Sequence, residues 1–190
     1  LSAAVFLTSF QNVYSEDISS LSALEFPELC HTRDSLKETL TREISSAKKS
    51  LLFFAFTFSD RDLINLINRK AKEGIDVIIV IDNDHQSPLR KFGNEKLKNV
   101  TREGQGRVHH KILVVDDENV WIGSANFTPS GYNTQENLAV GVKSKVFAKV
   151  LREEAEIFQG IKWRSDTTIY QEKYGEELVS LYLLPYSIPY

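Results

Sequence analysis

Two continuous apolar runs constrain the fold of this 190-residue chain more than any other feature of its sequence. They cover residues 51–58 and 76–81, and strands that are apolar on both faces are typical of sheets covered on both sides. Between the runs, Leu63, Ile67 and Ala71 recur at the spacing of an amphipathic helix. This order of strand, helix and strand predicts two parallel strands joined by a crossover helix.

The rest of the chain continues the alternation of strands and helices. Further strands are predicted at residues 5–10, 109–115, 120–123 and 137–142, and further helices at residues 36–49, 89–97 and 147–158. We therefore predict an α/β fold, with a mixed, mostly parallel β-sheet sandwiched by helices.

Composition excludes several classes of protein. With 42% hydrophobic and 26% charged residues, the chain is typical of a globular protein and not of a disordered one. Cys30 is the single cysteine, which excludes an intramolecular disulfide framework and any multi-cysteine zinc site. No apolar run approaches the ~20 residues of a membrane-spanning helix, so we expect no transmembrane segment. The sequence assigns no compartment.

The charges are distributed unevenly along the chain. Residues 86–111 hold seven basic and two acidic side chains, a charge of +5, whereas the whole chain has a net charge of −3. A local positive field in an acidic protein indicates contact with an anion. On charge alone, however, a solvated helix and loop is the simpler interpretation.

The segment 108–127 holds side chains suited to phosphate chemistry. Because side chains alternate along a strand, His109 and Lys111 project together and His110 points away. A hairpin that closes at residues 116–119 brings residues 123–126 back beside them. An imidazole, an ammonium, a hydroxyl and a carboxamide can therefore converge.

Each of these groups has a chemical use at a phosphate. A neutral imidazole is a competent nucleophile near pH 7, and Lys111 and Asn126 can donate hydrogen bonds to phosphate oxygens. Gly123 allows the backbone to approach a bound oxygen, beside the hydroxyl of Ser124. Glu136 could accept a hydrogen bond from the second nitrogen of an imidazole and fix its tautomer.

The spacing of these residues resembles a known family signature. His109-x-Lys111-x4-Asp116-x6-Gly123-Ser124-x-Asn126 matches the HKD motif of the phospholipase D superfamily without a gap. The resemblance covers about residues 32–163 and is strongest to single-motif members, the small bacterial endonucleases and the mitochondrial cardiolipin hydrolase-like nucleases. We therefore expect residues 32–165 to form a phospholipase D-like catalytic domain, with residues 1–31 joined to it as a strand and loop.

The resemblance implies a role for each motif position. His109 is expected to be the nucleophile that forms a phosphohistidine, and Lys111 and Asn126 are expected to bind phosphate. Asp116 is expected to orient the turn and not to act in acid–base steps. Glu136 is expected to hold His109.

Other residues near the motif are expected to contact substrate or to be structural. Gly123 and Ser124 are predicted to lie at the bound phosphate, and Arg102 and Arg107 to contact backbone phosphates unless they are plain loop charges. His110 is expected to be packed or solvent-facing. His85 follows a strand at its carboxyl end, where ligands of α/β proteins gather; it is expected to be a loop residue, with contact to substrate as the less favoured alternative. Because adjacent histidines on a strand cannot easily chelate one metal and no third ligand is suitably spaced, we predict no catalytic metal; we also predict no cofactor.

The single motif bears on assembly, because the mechanism that the resemblance implies needs two histidines on opposite sides of one phosphorus. A homodimer with the active site on its twofold axis is the preferred solution. The alternative is a second half outside this chain. Residues 166–190 could begin such a repeat, since the apolar run 179–186 resembles residues 5–10. Two unrelated strands remain an equal interpretation.

Three functions remain open at the level of sequence. The first is a metal-independent phosphodiesterase that cuts DNA or RNA, which the basic segment favours. The second is a phospholipase D, cardiolipin hydrolase or phosphatidyltransferase with the same chemistry, which the polar loop at 84–107 disfavours. The third is a catalytically silent nucleic-acid-binding half of a two-motif protein, which the intact motif disfavours.

Overall fold

The computed structural model describes residues 3–8, 28–31, 36–101, 108–158, 168–174 and 177–183. The strands are β1 Ala3–Thr8, β2 Glu28–His31, β3 Ser50–Ala55, β4 Asp76–Ile81, β5 Lys98–Thr101, β6 Lys111–Val115, β7 Asn119–Gly123, β8 Leu138–Lys143, β9 Thr168–Tyr174 and β10 Glu177–Leu183. The helices are α1 Leu36–Ser46, α2 Arg61–Lys72, α3 Ser87–Phe92, α4 Pro129–Asn133 and α5 Lys145–Phe158, with a 3₁₀ helix at Asn83–His85.

Seven strands form the main sheet in the order β2-β8-β7-β6-β3-β4-β5. Strands β3, β4 and β5 pair in parallel, because helices connect them or lie between them along the chain. The other neighbouring pairs, from β2 to β3 across the sheet, are antiparallel. The predicted mixed α/β fold is therefore confirmed.

The sheet is mostly parallel in strand direction, as predicted, because β6 and β8 run against the other five strands. Its hydrogen-bonded neighbours are nevertheless mostly antiparallel, since only two of the six pairs are parallel. The reason is the hairpin β6–β7 and its continuation into β8, since a tight connection can join only antiparallel strands.

Helices and a second sheet cover the two faces of the main sheet. Alternate residues of β3 divide between them: Leu51 and Phe53 pack in a core with α1 and α2, and Leu52 and Phe54 pack in a core with α5 and β10. All four side chains are fully buried. The continuous apolar run at 51–58 is thus explained by burial on both faces.

Several elements differ from the predictions, and the strands that were not predicted have no continuous apolar run. β5 was predicted as part of a polar loop and helix; it is an edge strand whose Lys98 and Asn99 are exposed. β2 and β9 were not predicted either. The predicted strand at 51–58 ends at Ala55, and Phe58 instead makes an isolated bridge to Phe127.

The terminal strands form a small antiparallel sheet in the order β1-β10-β9. Ala3 pairs with Leu183 and Thr8 pairs with Leu178. The two runs whose likeness suggested a repeat are therefore neighbours in one sheet. Whether residues 166–190 also begin a second repeat, and where the domain boundaries lie, stay predictions.

The turn between β6 and β7 is fixed to the start of β3 by one carboxylate. Asp116 accepts hydrogen bonds from the backbone N–H groups of Lys48, Lys49 and Ser50 at 2.7–3.0 Å. Its φ of 55° and the φ of 57° at Asp117 are left-handed, as a primed hairpin turn requires. The predicted role of Asp116 in orienting the turn agrees with these contacts.

The environment of Asp116 favours its charged form. Partial burial opposes ionisation, but the N–H groups of Ser50, Lys48 and Lys49 outweigh it, so the pKa of Asp116 is lowered. Because the folded pKa lies below the unfolded one, the stabilisation is present at neutral pH. It is lost as the pH falls through the folded pKa.

We predict that Asp116→Ala destabilises the fold by about 2 kcal/mol more than Asp117→Ala, which loses only an exposed ion pair with Arg152. The two positions share nearly the same φ, so the backbone cost of alanine is common to both variants. Urea unfolding at pH 7 measures the difference, which should shrink in acid. Equal stability of the two variants would contradict the clamp.

Candidate active site

The directions of the strands gather the predicted residues at one edge of the main sheet. The carboxyl ends of β3, β4 and β7 and the amino ends of β6 and β8 meet there. We call this edge the site edge. His109 lies just before β6, and Ser124 lies just after β7, so the hairpin brings them together as the sequence predicts.

An open cleft at the site edge is lined by His109, Lys111, Gly123 and Ser124, with an empty volume of about 500 Å³. The His109 side chain is exposed, whereas Lys111 is only 8% exposed. The Lys111 Nζ donates a hydrogen bond of 2.7 Å to the backbone carbonyl of His109. The cleft therefore presents an accessible imidazole beside a shielded ammonium.

Burial makes Lys111 the most perturbed cation of the site. Loss of water around its ammonium lowers the pKa of Lys111 from 10.5 to about 8. The same ammonium lies 5.4 Å from the ring centroid of Phe56, within the range of a cation–π contact. Lys111 is still largely charged at pH 7, when it can bind a phosphate oxygen.

A side chain that the sequence analysis did not single out holds Ser124. Ser124 Oγ donates to Asn137 Oδ1 at 2.8 Å and accepts from the N–H of Leu138 at 3.1 Å. Asn137 in turn donates to the carbonyl of Gly131 at 2.9 Å. The hydroxyl of Ser124 is therefore positioned by the start of β8 and not by the motif alone.

Gly123 and Asn126 differ in how they are packed. A Cβ at Gly123 would lie 2.6 Å from the carbonyl oxygen of Leu138, so close pairing with β8 already requires glycine there. Asn126 is half-buried, and its Oδ1 accepts no hydrogen bond from the described part of the chain.

Three residues outside the motif join the site, and sequence analysis missed their contacts. The Phe56 ring lies 5.2 Å from the His109 ring and 4.1 Å from the His85 ring, between centroids. His85 Nδ1 lies 3.1 Å from Asp82 Oδ1, and Asp82 is buried. His85 was predicted to be a loop residue; it ends the 3₁₀ helix, and its ring packs against Phe56.

The remaining predicted residues have different positions. Asp116 lies at the opposite end of β6 from His109. Glu136 is exposed, next to Asn137 and ahead of β8, so its predicted hold on His109 stays a prediction. Arg102 and Arg107 lie outside the described residues, and their contacts with phosphate also stay predictions.

The packing expected for His110 is confirmed. Its ring is buried on the other side of the strand, with centroids 5.8 Å from Phe54 and 5.9 Å from Phe158. Trp121 is buried as well. Phe53, Phe54 and Phe58 are fully buried, whereas Phe56 is partly exposed and contacts His109.

The described ranges contain neither a cluster of metal ligands nor a membrane-spanning helix. Within them, no three His, Cys, Asp or Glu side chains are grouped as metal ligands would be. Over the same ranges, no helix has the length and apolar character needed to span a membrane.

We predict that the Lys111 ammonium titrates near pH 8, so affinity for inorganic phosphate should fall as the pH rises through that value. NMR of protein labelled with ¹³Cε-lysine measures the titration without ligand. Lys111→Arg identifies the resonance by its loss and should keep phosphate affinity at high pH, because arginine stays charged. A resonance that titrates near 10.5 would contradict the desolvation of Lys111.

Comparisons with known proteins place this site in a family. The family described as "Cardiolipin synthase, PLD-like domain" matches residues 40–159. Mitochondrial cardiolipin hydrolase from Xenopus tropicalis is 30% identical over 135 residues, which are 67% of this chain and 62% of the relative. Cardiolipin synthase 1 from Staphylococcus aureus is 33% identical over 122 residues, 59% of this chain and 24% of the relative.

A solved structure has the same fold. Nuc, a phospholipase D family member from Salmonella typhimurium, superposes with a TM-score of 0.63 at 24% identity, covering 71% of this chain and 95% of Nuc. The chain thus spans 95% of Nuc, but only 62% of the hydrolase and 24% of the synthase. All residues of the described cleft fall within the matched residues 40–159. The chain belongs to the phospholipase D superfamily.

Proposed function

We propose that this chain is a metal-independent phosphodiesterase that hydrolyses nucleic acid through a phosphohistidine at His109. The observation that carries the proposal is the cleft that His109, Lys111 and Ser124 share. Relatives named as a hydrolase and as synthases of cardiolipin support phosphodiester chemistry in general. Hydrolysis as the reaction, His109 as the nucleophile and nucleic acid as the substrate are proposed for this chain beyond that general chemistry.

The first step forms a covalent bond to His109. An imidazole nitrogen of His109 attacks phosphorus with its lone pair, and the bond between phosphorus and the leaving oxygen breaks. The ammonium of Lys111 and the carboxamide of Asn126 stabilise the charge on the non-bridging oxygens. Glu136 is proposed to fix the tautomer of His109 from its other nitrogen.

The two steps need another acid and base, which acts as an acid when the leaving oxygen departs in the first step and as a base when water attacks in the second. The leaving oxygen takes a proton from a second imidazolium, which then removes a proton from water as the water attacks phosphorus. The N–P bond breaks, and both imidazoles return to their starting states. One His109 cannot occupy both sides of the phosphorus, so we propose a twofold dimer in which each copy contributes its His109. The exposure of His109 is compatible with a site shared between copies.

Exposed cations near the cleft favour nucleic acid as the substrate. Arg90 and Lys91 are exposed on α3, which follows the 3₁₀ helix at the site edge. Thr101 and Val108, which flank the segment with Arg102 and Arg107, also lie at this edge. Lys98 contributes less, because it lies at the other end of β5 and pairs with Asp76. A polyanionic strand would gain from the cations at the site edge.

The comparisons favour phospholipid as a second candidate. Both the matching family and the relatives are named for cardiolipin, and the same residues would attack the phosphodiester of a lipid. Leu138, 41% exposed, is an apolar side chain at the amino end of β8, next to Ser124. One exposed leucine is a small apolar surface, so nucleic acid remains the first proposal.

We predict that the wild-type protein cuts single-stranded DNA or RNA in EDTA and that His109→Ala lowers the rate by a factor on the order of 10³ or more. Assays on DNA, RNA and cardiolipin vesicles, run side by side, measure the rate of hydrolysis and identify the substrate. Lys145→Ala, an exposed cation near Glu118 at the opposite end of the sheet, is the control and should keep full activity.

The same preparations should sediment as dimers. Failure of a dimeric wild-type preparation to cut any of the three substrates would overturn the proposal, and would favour a silent binding module. Hydrolysis of cardiolipin alone would replace nucleic acid by lipid. Full activity in a strictly monomeric sample would contradict the proposal that two copies share one active site.

A further inference from the structure

A second imidazole beside the cleft is held by a buried carboxylate that the proposed mechanism does not use. Asp82 follows β4 and is 4% exposed. Its Oδ2 accepts from the N–H of Val108 at 3.1 Å, and its Oδ1 accepts from the N–H of Asp84 at 3.2 Å and contacts His85 Nδ1 at 3.1 Å. One carboxylate thus ties the turn that holds His85 to the residue preceding His109.

These contacts fix the tautomer of His85. The partners of Asp82 in the backbone are both N–H donors, so Asp82 acts as an acceptor and His85 Nδ1 carries the proton between them. In the neutral ring, Nε2 is then a hydrogen-bond acceptor on the side away from Asp82. The His85 side chain is 34% exposed, so its ring is open to solvent in part.

His85 lies within reach of a substrate held at His109. Both imidazole rings contact Phe56, with centroids at 4.1 and 5.2 Å from its ring, so they are at most 9.3 Å apart. A near-attack distance of about 3–3.5 Å at His109 and a hydrogen bond of about 2.7–3.2 Å at His85, together with the bonds that join phosphorus to a hydroxyl of the neighbouring sugar, can span a separation of up to that size.

Charge decides which substrate group suits this position. The turn that holds His85 carries two carboxyl groups, the buried Asp82 in contact with its ring and the exposed Asp84. A second phosphate would be repelled there, whereas a hydroxyl would donate to Nε2 at little electrostatic cost. The phosphate-binding cation, Lys111, contacts the same Phe56 ring, so the two sites are adjacent and chemically different.

We propose that His85, held by Asp82, accepts a hydrogen bond from the ribose 2′-hydroxyl next to the scissile phosphate and thereby favours RNA over DNA. This inference rests on the proposed nuclease function. A 2′-hydroxyl lies on the carbon beside the one that carries the 3′ oxygen, and it is the group by which a protein distinguishes RNA from DNA at one position. Asp82 is a positioning residue, since it acts through His85.

The test compares three oligonucleotides of one sequence and length that differ only in the sugar, which is ribose, 2′-deoxyribose or 2′-O-methylribose. Uracil replaces thymine in the deoxyribose strand, so that the bases are identical. For the wild-type protein, kcat/KM should be about tenfold higher on the ribose strand than on either other strand, the effect of one hydrogen bond. His85→Phe keeps an aromatic ring against Phe56 but has no acceptor, and should reduce the preference to less than about twofold. His85→Gln, which restores an acceptor, should recover part of it.

A binding measurement shows whether the role of His85 or the proposed nuclease function is wrong. His109→Ala, which also reports contaminating ribonuclease, should bind the labelled ribose strand more tightly than the deoxyribose strand, and should lose this preference when combined with His85→Phe. If nothing is cut but this preference and its loss are seen, only the nuclease function fails. Equal rates or affinities for the two strands, an unchanged preference in His85→Phe, or action on cardiolipin alone would overturn the inference.

Discussion

The clamp between Asp116 and the start of β3 is the interaction on which the site depends. It fixes the turn that reverses the chain after β6, 66–68 residues along the chain from its partners. With this turn fixed, β6 pairs with β3 on one side and with β7 on the other. The amino end of β6 then lies beside the carboxyl ends of its neighbours, which is where His109 and Lys111 meet Phe56 and Ser124.

Local rules account for the part of the site that the sequence predicts. Strand alternation separates His110 from His109, and a tight hairpin returns Gly123 and Ser124 to the same cleft. Both rules act over a few residues, so a sequence pattern can express them. The apolar runs likewise predict β3 and β4, because burial on both faces leaves a continuous signal.

The contacts that sequence analysis missed depend on the order of strands in the sheet. Phe56 follows β3 and His85 follows β4, which are neighbouring strands. The Phe56 ring contacts both His85 and His109, and His109 comes from a third segment. No local pattern encodes that order. The lowered pKa of Lys111 depends on it too, because the desolvation arises from packing around the finished cleft. β5 was not predicted, because the sequence of an edge strand with polar side chains resembles that of a loop.

Chemical trapping during turnover tests the central claim most directly. The enzyme is quenched while it cuts a labelled strand and is digested under conditions that preserve phosphoramidates, and its peptides are then sequenced by mass spectrometry. The account predicts a phosphoryl group, still esterified to one product, on the imidazole of His109. A full yield of product without that adduct, or with the group on another residue, would contradict the account.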